Sequence, residues 1–484
     1  MSRTTILIGT GKTLSRLERQ LELMDDRPIT LGWILAPTDH GSAREGPVLG
    51  GIDELETIIA RRRPATALVC LPAAMTDLIT RIRTRLRKLG VADRFMPTLE
   101  DLVAGVGPRT QLDIDPGVLL NRPPREIDEE AVRDVIEGRR VLITGAGGSI
   151  GSELSRIVSR FEPRRLMLMD RSENALFEID RQIARVRPEL PRVAVLHDVV
   201  DRDGTLEQCR RLEPEVIFHA AAHKHVPMME DHPGAAVDNN LFGTQSIADA
   251  ADEVRAERFV MISTDKAVNP SSIMGATKRL AELYVQHINR RSATAYSMVR
   301  FGNVLGSSGS VLETWAKQIA DGGPVTVTDP RMTRYMMTIA EAASLVIQSA
   351  ALVDPEASSG EVFLLDMGEP IRIVELAKRY IRLHGLEPVL PGKSTALGRV
   401  GVMPIVYSGV RPGEKLFEEL SFDGECMEAT RHGSINIWRM PAPEEGLVKE
   451  VLCNLAADVR DPDPAVVAEA IRRLVPEMVR PVAA

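Results

Sequence analysis

The chain has few cysteines, no long apolar run and no excess of positive charge, and each shortage removes a class of protein. Its four cysteines, Cys70, Cys209, Cys426 and Cys453, lie far apart and form no CxxC pair. That spacing suggests neither a zinc site nor a disulfide framework, so a reducing, cytoplasmic compartment and no bound metal are expected. No run of about 18 apolar residues exists, and Met1-Ser-Arg-Thr-Thr5 leads straight into a strand-like segment. Neither a membrane span nor a signal-peptide core is therefore expected. Sixty Lys and Arg against 68 Asp and Glu leave a formal charge of -8, without the basic surplus that replaces the counterions of a nucleic acid. The 44% hydrophobic and 26% charged fractions are globular, and 484 residues can build two or three cores.

The stretch Val141-Leu-Ile-Thr-Gly-Ala-Gly-Gly-Ser-Ile-Gly151 organises the rest. A short apolar run ends in Gly145, Gly148 and Gly151, with Ser149 and Ile150 in the same turn, and an amphipathic helix follows from Ser152. Glycines there permit a tight turn and close backbone approach, while the helix start offers free N–H groups to a pyrophosphate. Asp170 ends the next apolar run, where a carboxylate binds the adenosine ribose and repels a 2′-phosphate, so NAD is favoured over NADP. Arg171 is the residue that would instead receive such a phosphate. A third strand ends at Asp198, next to Val199, with adenine recognition and turn capping as its alternatives. A fourth, Glu215 to Ala222, ends in small residues, and Ala220 and Ala221 would let a cofactor lie against the backbone. Lys224 follows, either at the surface or against a sugar or diphosphate; His219 and His225 read as packing or hydrogen-bonding groups.

Upstream, Thr5-Ile-Leu-Ile-Gly-Thr-Gly11 opens a first strand-turn-helix, with further strands at 31–36, 67–72 and 94–97 and helices at 52–62 and 75–89. Leu14 stands where a third glycine would be, and no acidic residue closes the second strand. The segment therefore reads as a structural or regulatory Rossmann-like domain. Proline-rich sequence with alternating charges follows, including Pro108, Pro116, Pro123 and Pro124, and then a short capped helix from Asp128. The expected organisation is α/β, with two Rossmann-like parallel sheets: residues 1–115, a linker at 116–139, and a larger nucleotide-cofactor domain at 140–484.

Phe259-Val-Met-Ile-Ser-Thr-Asp-Lys266 reads as a buried strand ending in groups fit for acid–base work, and Met274 and Lys278 lie one helical turn apart. The run Ser263-Thr-Asp-Lys-Ala-Val-Asn-Pro-Ser-Ser-Ile-Met-Gly-Ala-Thr-Lys278, with the glycine turn, resembles the extended short-chain dehydrogenases that act on nucleotide sugars. Within these it is similar to the UDP-N-acetylglucosamine 4,6-dehydratases of the polysaccharide-biosynthesis group. His219 to Pro227, Asn240 in Asn-Leu-Phe-Gly-Thr, Arg300 to Gly306, Thr333-Arg-Tyr335 and Arg411-Pro-Gly-Glu-Lys415 carry the same likeness. It covers nearly all of residues 120–440. The N-terminal domain resembles the region that follows a membrane-spanning segment in longer relatives; no such segment is read in this sequence, so membrane anchoring is not expected.

The resemblance implies an extended short-chain dehydrogenase fold with a smaller C-terminal substrate-binding part, and a reaction in which NAD is recycled. Carbon 4 of the sugar gives up a hydride, water is eliminated across carbons 5 and 6, and the hydride returns to carbon 6. Lys266 is then the base at carbon 5 and Asp265 the acid at carbon 6; Thr264 bonds the carbon-4 oxygen and Lys278 the nicotinamide ribose. Met274 occupies the position of the tyrosine base found in most of the superfamily, and a thioether has no proton to exchange. Asp265, or a water held by Thr264 and Lys278, remains for the carbon-4 hydroxyl proton. Methionine there resembles the forms that retain configuration at carbon 5. Residues 265 and 266 are expected to project to different sides of a strand end, and burial near Lys278 and a cationic nicotinamide is expected to lower the Lys266 pKa.

For the UDP-sugar itself, Asn303 is expected at the nucleotide or sugar, Arg334 and Arg411 at the diphosphate, and Glu414 at the uridine ribose. Amides of the loop Gly306-Ser-Ser-Gly-Ser310 are also candidates for the diphosphate. Helices are expected at 339–349, 373–384 and 465–475, the last capped by Asp463 and serving packing or oligomer contact, so a homo-oligomer is expected. Competing readings are a 4-epimerase or 4-keto reductase of the same fold, and a non-catalytic protein that senses NAD or a nucleotide sugar. The Thr264-Asp-Lys266 run argues against these alternatives, because neither epimerisation nor sensing needs a separate acid and base beside carbons 5 and 6, while a reductase would have to release oxidised cofactor at each turnover.

Overall fold

In the computed structural model the described residues are 4–22, 28–36, 47–72, 75–96, 98, 100, 116–120, 127–353, 361–392, 402–420, 427–438, 443–461 and 463–478. Of the expected linker at 116–139, residues 121–126 with Pro123 and Pro124 lie outside them, as do residues 101–115 before it and Cys426. The chain divides into two compact units. One comprises Met1–Asp115, Trp315–Val327 and Val374–Tyr407; the other comprises Pro116–Thr314, Thr328–Ile373 and Ser408–Ala484.

The first unit contains a five-stranded parallel sheet made of β1 (Thr4–Gly9), β2 (Ile29–Leu35), β3 (Val48–Gly51), β4 (Thr66–Cys70) and β5 (Ala92–Phe95), in the order β3-β2-β1-β4-β5. Side chains alternate across a strand, so Ile6 and Ile8 of β1 face one side and Leu7 the other. Ile6 and Ile8 pack against α2 (Leu55–Arg62) and α3 (Thr76–Lys88) through Ile58, Ile59, Ile82 and Leu86. On the opposite face Leu7 and Trp33 meet Leu14, Leu17 and Leu21 of α1 (Gly11–Glu22). Leu14, where a third glycine would permit a dinucleotide to approach, is thus a fully buried core residue. Strand β3 is not evident in the sequence pattern, being four residues with two glycines at a sheet edge.

The second unit is built on nine strands: β6 (Arg140–Thr144), β7 (Arg165–Asp170), β8 (Arg192–Leu196), β9 (Val216–His219), β10 (Arg258–Ile262), β11 (Ala295–Arg300), β12 (Glu361–Leu365), β13 (Met427–Ala429) and β14 (Ile435–Trp438). Their order is β13-β14-β12-β11-β10-β9-β6-β7-β8, parallel from β12 to β8 and antiparallel at β14 and β13. The expected class, α/β with Rossmann-like parallel sheets and an extended short-chain dehydrogenase fold in the larger part, is the one observed.

Buried strand residues alternate between two helical layers. Val141, Ile143 and Phe218 pack on α4 (Glu129–Ile136), α5 (Ser149–Val158), α6 (Glu173–Val186) and α10 (Ile339–Leu352). Leu142, Ile217 and Phe259 pack on α7 (Arg202–Leu212), α8 (Gly243–Glu253) and α9 (Ile273–Asn289). The C-terminal helices α11 (Glu445–Asp458) and α12 (Pro464–Leu474) close over α9, contributing Leu455, Val467 and Ile471 to the same core. Several starts follow the sequence signals: Asp128 accepts from Ala131 N, Asp463 from Ala465 N, and Thr338 with Glu341 forms a capping box before α10.

From β6 the chain builds outward through β7 and β8, then returns to lay β9 on the other side of β6. The carboxyl ends of β6 and β9 therefore flank a topological switch point, where open α/β sheets hold ligands. Thr144 is paired with His219, and Ala220 N donates to Thr144 O at 3.1 Å. Gly145 has φ +64, and a Cβ there would lie 2.7 Å from Ala221 N. One on Gly151 would overlap the Gly145 carbonyl oxygen, a backbone atom that cannot swing aside. Gly151→Ala is accordingly expected to destabilise this unit by about 1–3 kcal/mol through overpacking, measured as a lower urea midpoint; an unchanged midpoint would contradict the close approach.

Candidate active site

The crevice beside the glycine turn is lined by backbone. Asp170 accepts from Gly147 N at 2.9 Å through one oxygen and from Ser172 N at 2.8 Å through the other, so the carboxylate expected at a ribose also ties the turn to the end of β7. Arg171 reaches across the rim, with Nη1 3.6 Å from Asp198 and Nη2 3.2 Å from the His223 ring. Asp198 also accepts from Val200 N at 3.1 Å, the capping bond weighed against adenine recognition. Val199 is buried beside them, and Ala220 and Ala221 form the wall against Gly145. The residues assigned to a cofactor are thus brought together: a floor free of side chains, a helix beginning at Ser149, and a carboxylate at the rim suit a dinucleotide.

Strand β10 ends at Ile262, before the residues expected on it. Thr264 is an N-cap whose hydroxyl accepts from Lys266 N, and Asp265–Ala267 form a 3-10 turn. Asp265 and Lys266 consequently do not project to opposite sides. Lys266 Nζ folds back to donate to Asp265 Oδ1 at 2.9 Å, and Thr264 Oγ1 donates to the same oxygen at 2.9 Å. Asn303 Oδ1 lies 3.4 Å from Lys266 Nζ, so the expected sugar-binding asparagine joins this cluster. Asp265 is fully buried; its second oxygen has no hydrogen-bond partner among the described residues, and a Cβ on Gly302 would come within 2.9 Å of it.

The expected lowering of the Lys266 pKa is not found. Burial pulls it down, but the carboxylates of Asp265 and Glu418 outweigh burial and the net displacement is upward. Lys278 behaves oppositely. Burial lowers it from 10.5 to about 8, with Glu282 opposing. Met274 is buried in the core one turn before it.

The substrate-side residues separate. Arg411 is largely exposed and is joined to Glu414 at 2.6 Å. Arg334 is buried, and its guanidinium donates to the carbonyl oxygens of Thr333, Lys415 and Leu416, so it clamps backbone instead of facing an open cleft. Lys224 is exposed. The loop amides expected at a diphosphate are also engaged: Ser308 N donates to Ser149 Oγ, Gly309 N to Glu313 and Ser310 N to Ser307 O.

Two features escaped the motif reading. Behind the pair, fully buried Glu282 on α9 accepts from Arg300 at 2.6 and 2.8 Å and from Ser263 Oγ at 2.6 Å, and lies 3.5 Å from Arg279. In front, Glu418 lies 3.7 Å from Lys266 Nζ and 3.6 Å from Arg334 Nε. No local pattern marks Glu418, because its partners are far away in the chain.

These elements define a Rossmann-type unit with a hydrogen-bonded Asp265–Lys266 pair just past the carboxyl end of a strand. The chain belongs to the polysaccharide biosynthesis protein family, whose model matches residues 141–440. It is 39% identical over 429 residues to the capsular polysaccharide biosynthesis protein CapD of Staphylococcus aureus, a match spanning 86% of this chain and 68% of that protein. It is 30% identical over 289 residues to a UDP-N-acetylglucosamine 4,6-dehydratase (inverting) of Campylobacter jejuni, spanning 59% of this chain and 78% of that one. Among solved structures, Pen from Bacillus thuringiensis superposes with a TM-score of 0.54 at 29% identity, over 64% of this chain and 89% of that one. No described helix is long and apolar enough to cross a membrane.

Two stability measurements test the charges. Glu282→Ala leaves Arg300 and Arg279 without their buried carboxylate and is expected to cost about 3–5 kcal/mol in chemical denaturation. For Lys278 the folded value of about 8 lies below the unfolded 10.5, so the unfolded chain holds more protons between them and stability rises with pH across that window. Lys278→Met should therefore be most stabilising, relative to the parent, at or below pH 8, with the advantage shrinking toward pH 10.5. A pH-independent difference would refute the shift.

Proposed function

We propose that the protein is an NAD-dependent nucleotide-sugar 4,6-dehydratase that converts UDP-GlcNAc to UDP-2-acetamido-2,6-dideoxy-4-keto-hexose for surface polysaccharide or glycan assembly. The observation that carries this reading is the hydrogen-bonded Asp265–Lys266 pair, placed with Thr264 and Asn303 after β10. Family membership and the likeness to the Campylobacter dehydratase support the reaction class. Gly145, Gly148, Ser149, Ile150, Gly151, Asp170, Ala220 and Ala221 would hold the cofactor, which when bound accepts the carbon-4 hydride and returns it to carbon 6.

Elimination across carbons 5 and 6 needs a base and an acid together. An Asp265 carboxylate cannot donate and a Lys266 ammonium cannot accept, so the resting ion pair is in the wrong forms. Moving one proton along the 2.9 Å bond gives a carboxylic acid and a neutral amine, with no change in total charge. Exclusion of water by a bound sugar favours this neutral couple, because burial penalises charged forms. Lys266 then takes the carbon-5 proton while Asp265 protonates the carbon-6 hydroxyl, which leaves as water. The pair returns to carboxylate and ammonium. Thr264 orients Asp265 and lies ready for the carbon-4 oxygen, and a water held by Thr264 and Lys278 accepts the carbon-4 hydroxyl proton, since Asp265 already carries the proton taken from Lys266; as hydride returns to carbon 6, Lys266 gives its proton back to carbon 5 and regains one from that water. Arg411 and Glu414 contact the nucleotide once their mutual ion pair opens, whereas Arg334 acts through the backbone it clamps.

Incubation with UDP-GlcNAc in deuterated water, followed by NMR, tests the reaction: the carbon-6 hydroxyl should disappear as deuterium enters carbon 5. Recovery of unchanged sugar with NAD present would sink the assignment. Ring proton couplings distinguish retention at carbon 5, which Met274 favours, from the inversion in the name of the Campylobacter relative. Lys266→Ala should abolish product, and Asp265→Asn should slow turnover by about 10²–10⁴-fold.

A further inference from the structure

We propose that Glu418 is a positioning residue for the Asp265–Lys266 pair: its carboxylate anchors Lys266 Nζ from a second chain segment, and Arg334 balances its charge. The proposal rests on the dehydratase reading for its catalytic consequence, but the anchoring itself does not. The Glu418 side chain is only 3% exposed, so its 3.7 Å and 3.6 Å approaches to Lys266 and Arg334 are weakly screened by solvent. Asp265, Lys266, Glu418 and Arg334 form a four-group set with two charges of each sign. Such a set has no net charge, which makes an internal proton shift between Asp265 and Lys266 compatible with burial.

Other ionisable groups near Lys266 are committed elsewhere. On the Glu418 segment, Lys415 pairs with Glu419 at 3.0 Å and donates to Val268 O. On α9, which packs against the turn, Glu282 is taken by Arg300 and Ser263, and Lys278 lies near Glu282. Asn303 is neutral. Among the described residues, Glu418 is therefore the group outside the turn that opposes the repulsion of Arg334 on Lys266. Replacing it by glutamine leaves the set with one excess positive charge and favours loss of the Lys266 proton.

Glutamine keeps the shape of Glu418 and removes its charge, whereas aspartate keeps the charge and shortens the side chain. Competitive acylation of lysines with acetic anhydride over a pH series, read by mass spectrometry on the peptide containing Lys266, measures its protonation without requiring turnover. In Glu418→Gln the Lys266 labelling midpoint should fall by about 1–3 pH units, and the alkaline limb of the kcat profile should move down with it. Glu418→Asp should stay near the parent in both. Equal midpoints in the parent and Glu418→Gln, or a pattern in which glutamine is tolerated and aspartate is not, would overturn the proposal in favour of packing. A parent that labels as expected yet never dehydrates UDP-GlcNAc would overturn the dehydratase reading and leave the anchoring in place.

Discussion

Two glycines from different elements let the turn after β10 sit where it does, and the rest of the site depends on that fit. A Cβ on Gly275, in the first turn of α9, would overlap the Lys266 carbonyl oxygen, and one on Gly302 would press on Asp265 Oδ2 and the Tyr335 backbone. Ser272 caps α9 through Gly275 N, so the helix that carries Lys278 and Glu282 starts directly against the turn that carries Asp265 and Lys266. Close-packed backbone of this kind yields little when strained. It fixes Asp265 and Lys266 more firmly than side-chain contacts alone would.

Buried charge is arranged around this turn in two sets, Glu282 with Arg300 and Arg279 behind it, and Asp265, Lys266, Arg334 and Glu418 in front. Each ion would be costly alone, and the pairings make burial tolerable. Lys278 is less well compensated, since Glu282 is already shared by two arginines, and its displacement to about 8 expresses that imbalance. The same logic explains the raised Lys266, whose carboxylate neighbours reverse the effect of burial.

The Arg411-Pro-Gly-Glu-Lys415 motif and the residues after it act as a strap across the segment that follows β10. Gly413 O accepts from Ser271 Oγ, Lys415 Nζ donates to Val268 O, Asn269 donates to Glu419, and Arg334 holds the carbonyl oxygens of Lys415 and Leu416. Glu230 completes the join: its carboxylate accepts from Ile273 N and lies against Gly413. A motif that reads as ligand-binding is thus divided in two. Arg411 and Glu414 lie at its more open end, and the remainder organises Lys266 through Glu418.

Local order in the sequence was enough to determine the parallel α/β class, the glycine turn, most strands and helices, the helix caps at Asp128 and Asp463, and the grouping of Thr264, Asp265 and Lys266. Those features arise from periodicity, capping and turn chemistry between residues close in the chain. The short strand β3 had no such signal, and the apolar run to Ile262 concealed that Thr264 caps a new turn, although Thr-Asp is itself a capping pattern. Only the tertiary structure decided that Lys266 faces two carboxylates, that Arg334 clamps backbone, and that Glu282 and Glu418 belong to the site. These are through-space electrostatic relations between segments as much as about 150 residues apart, and pKa values and hydrogen-bond satisfaction depend on distance in space and burial, neither of which sequence spacing encodes.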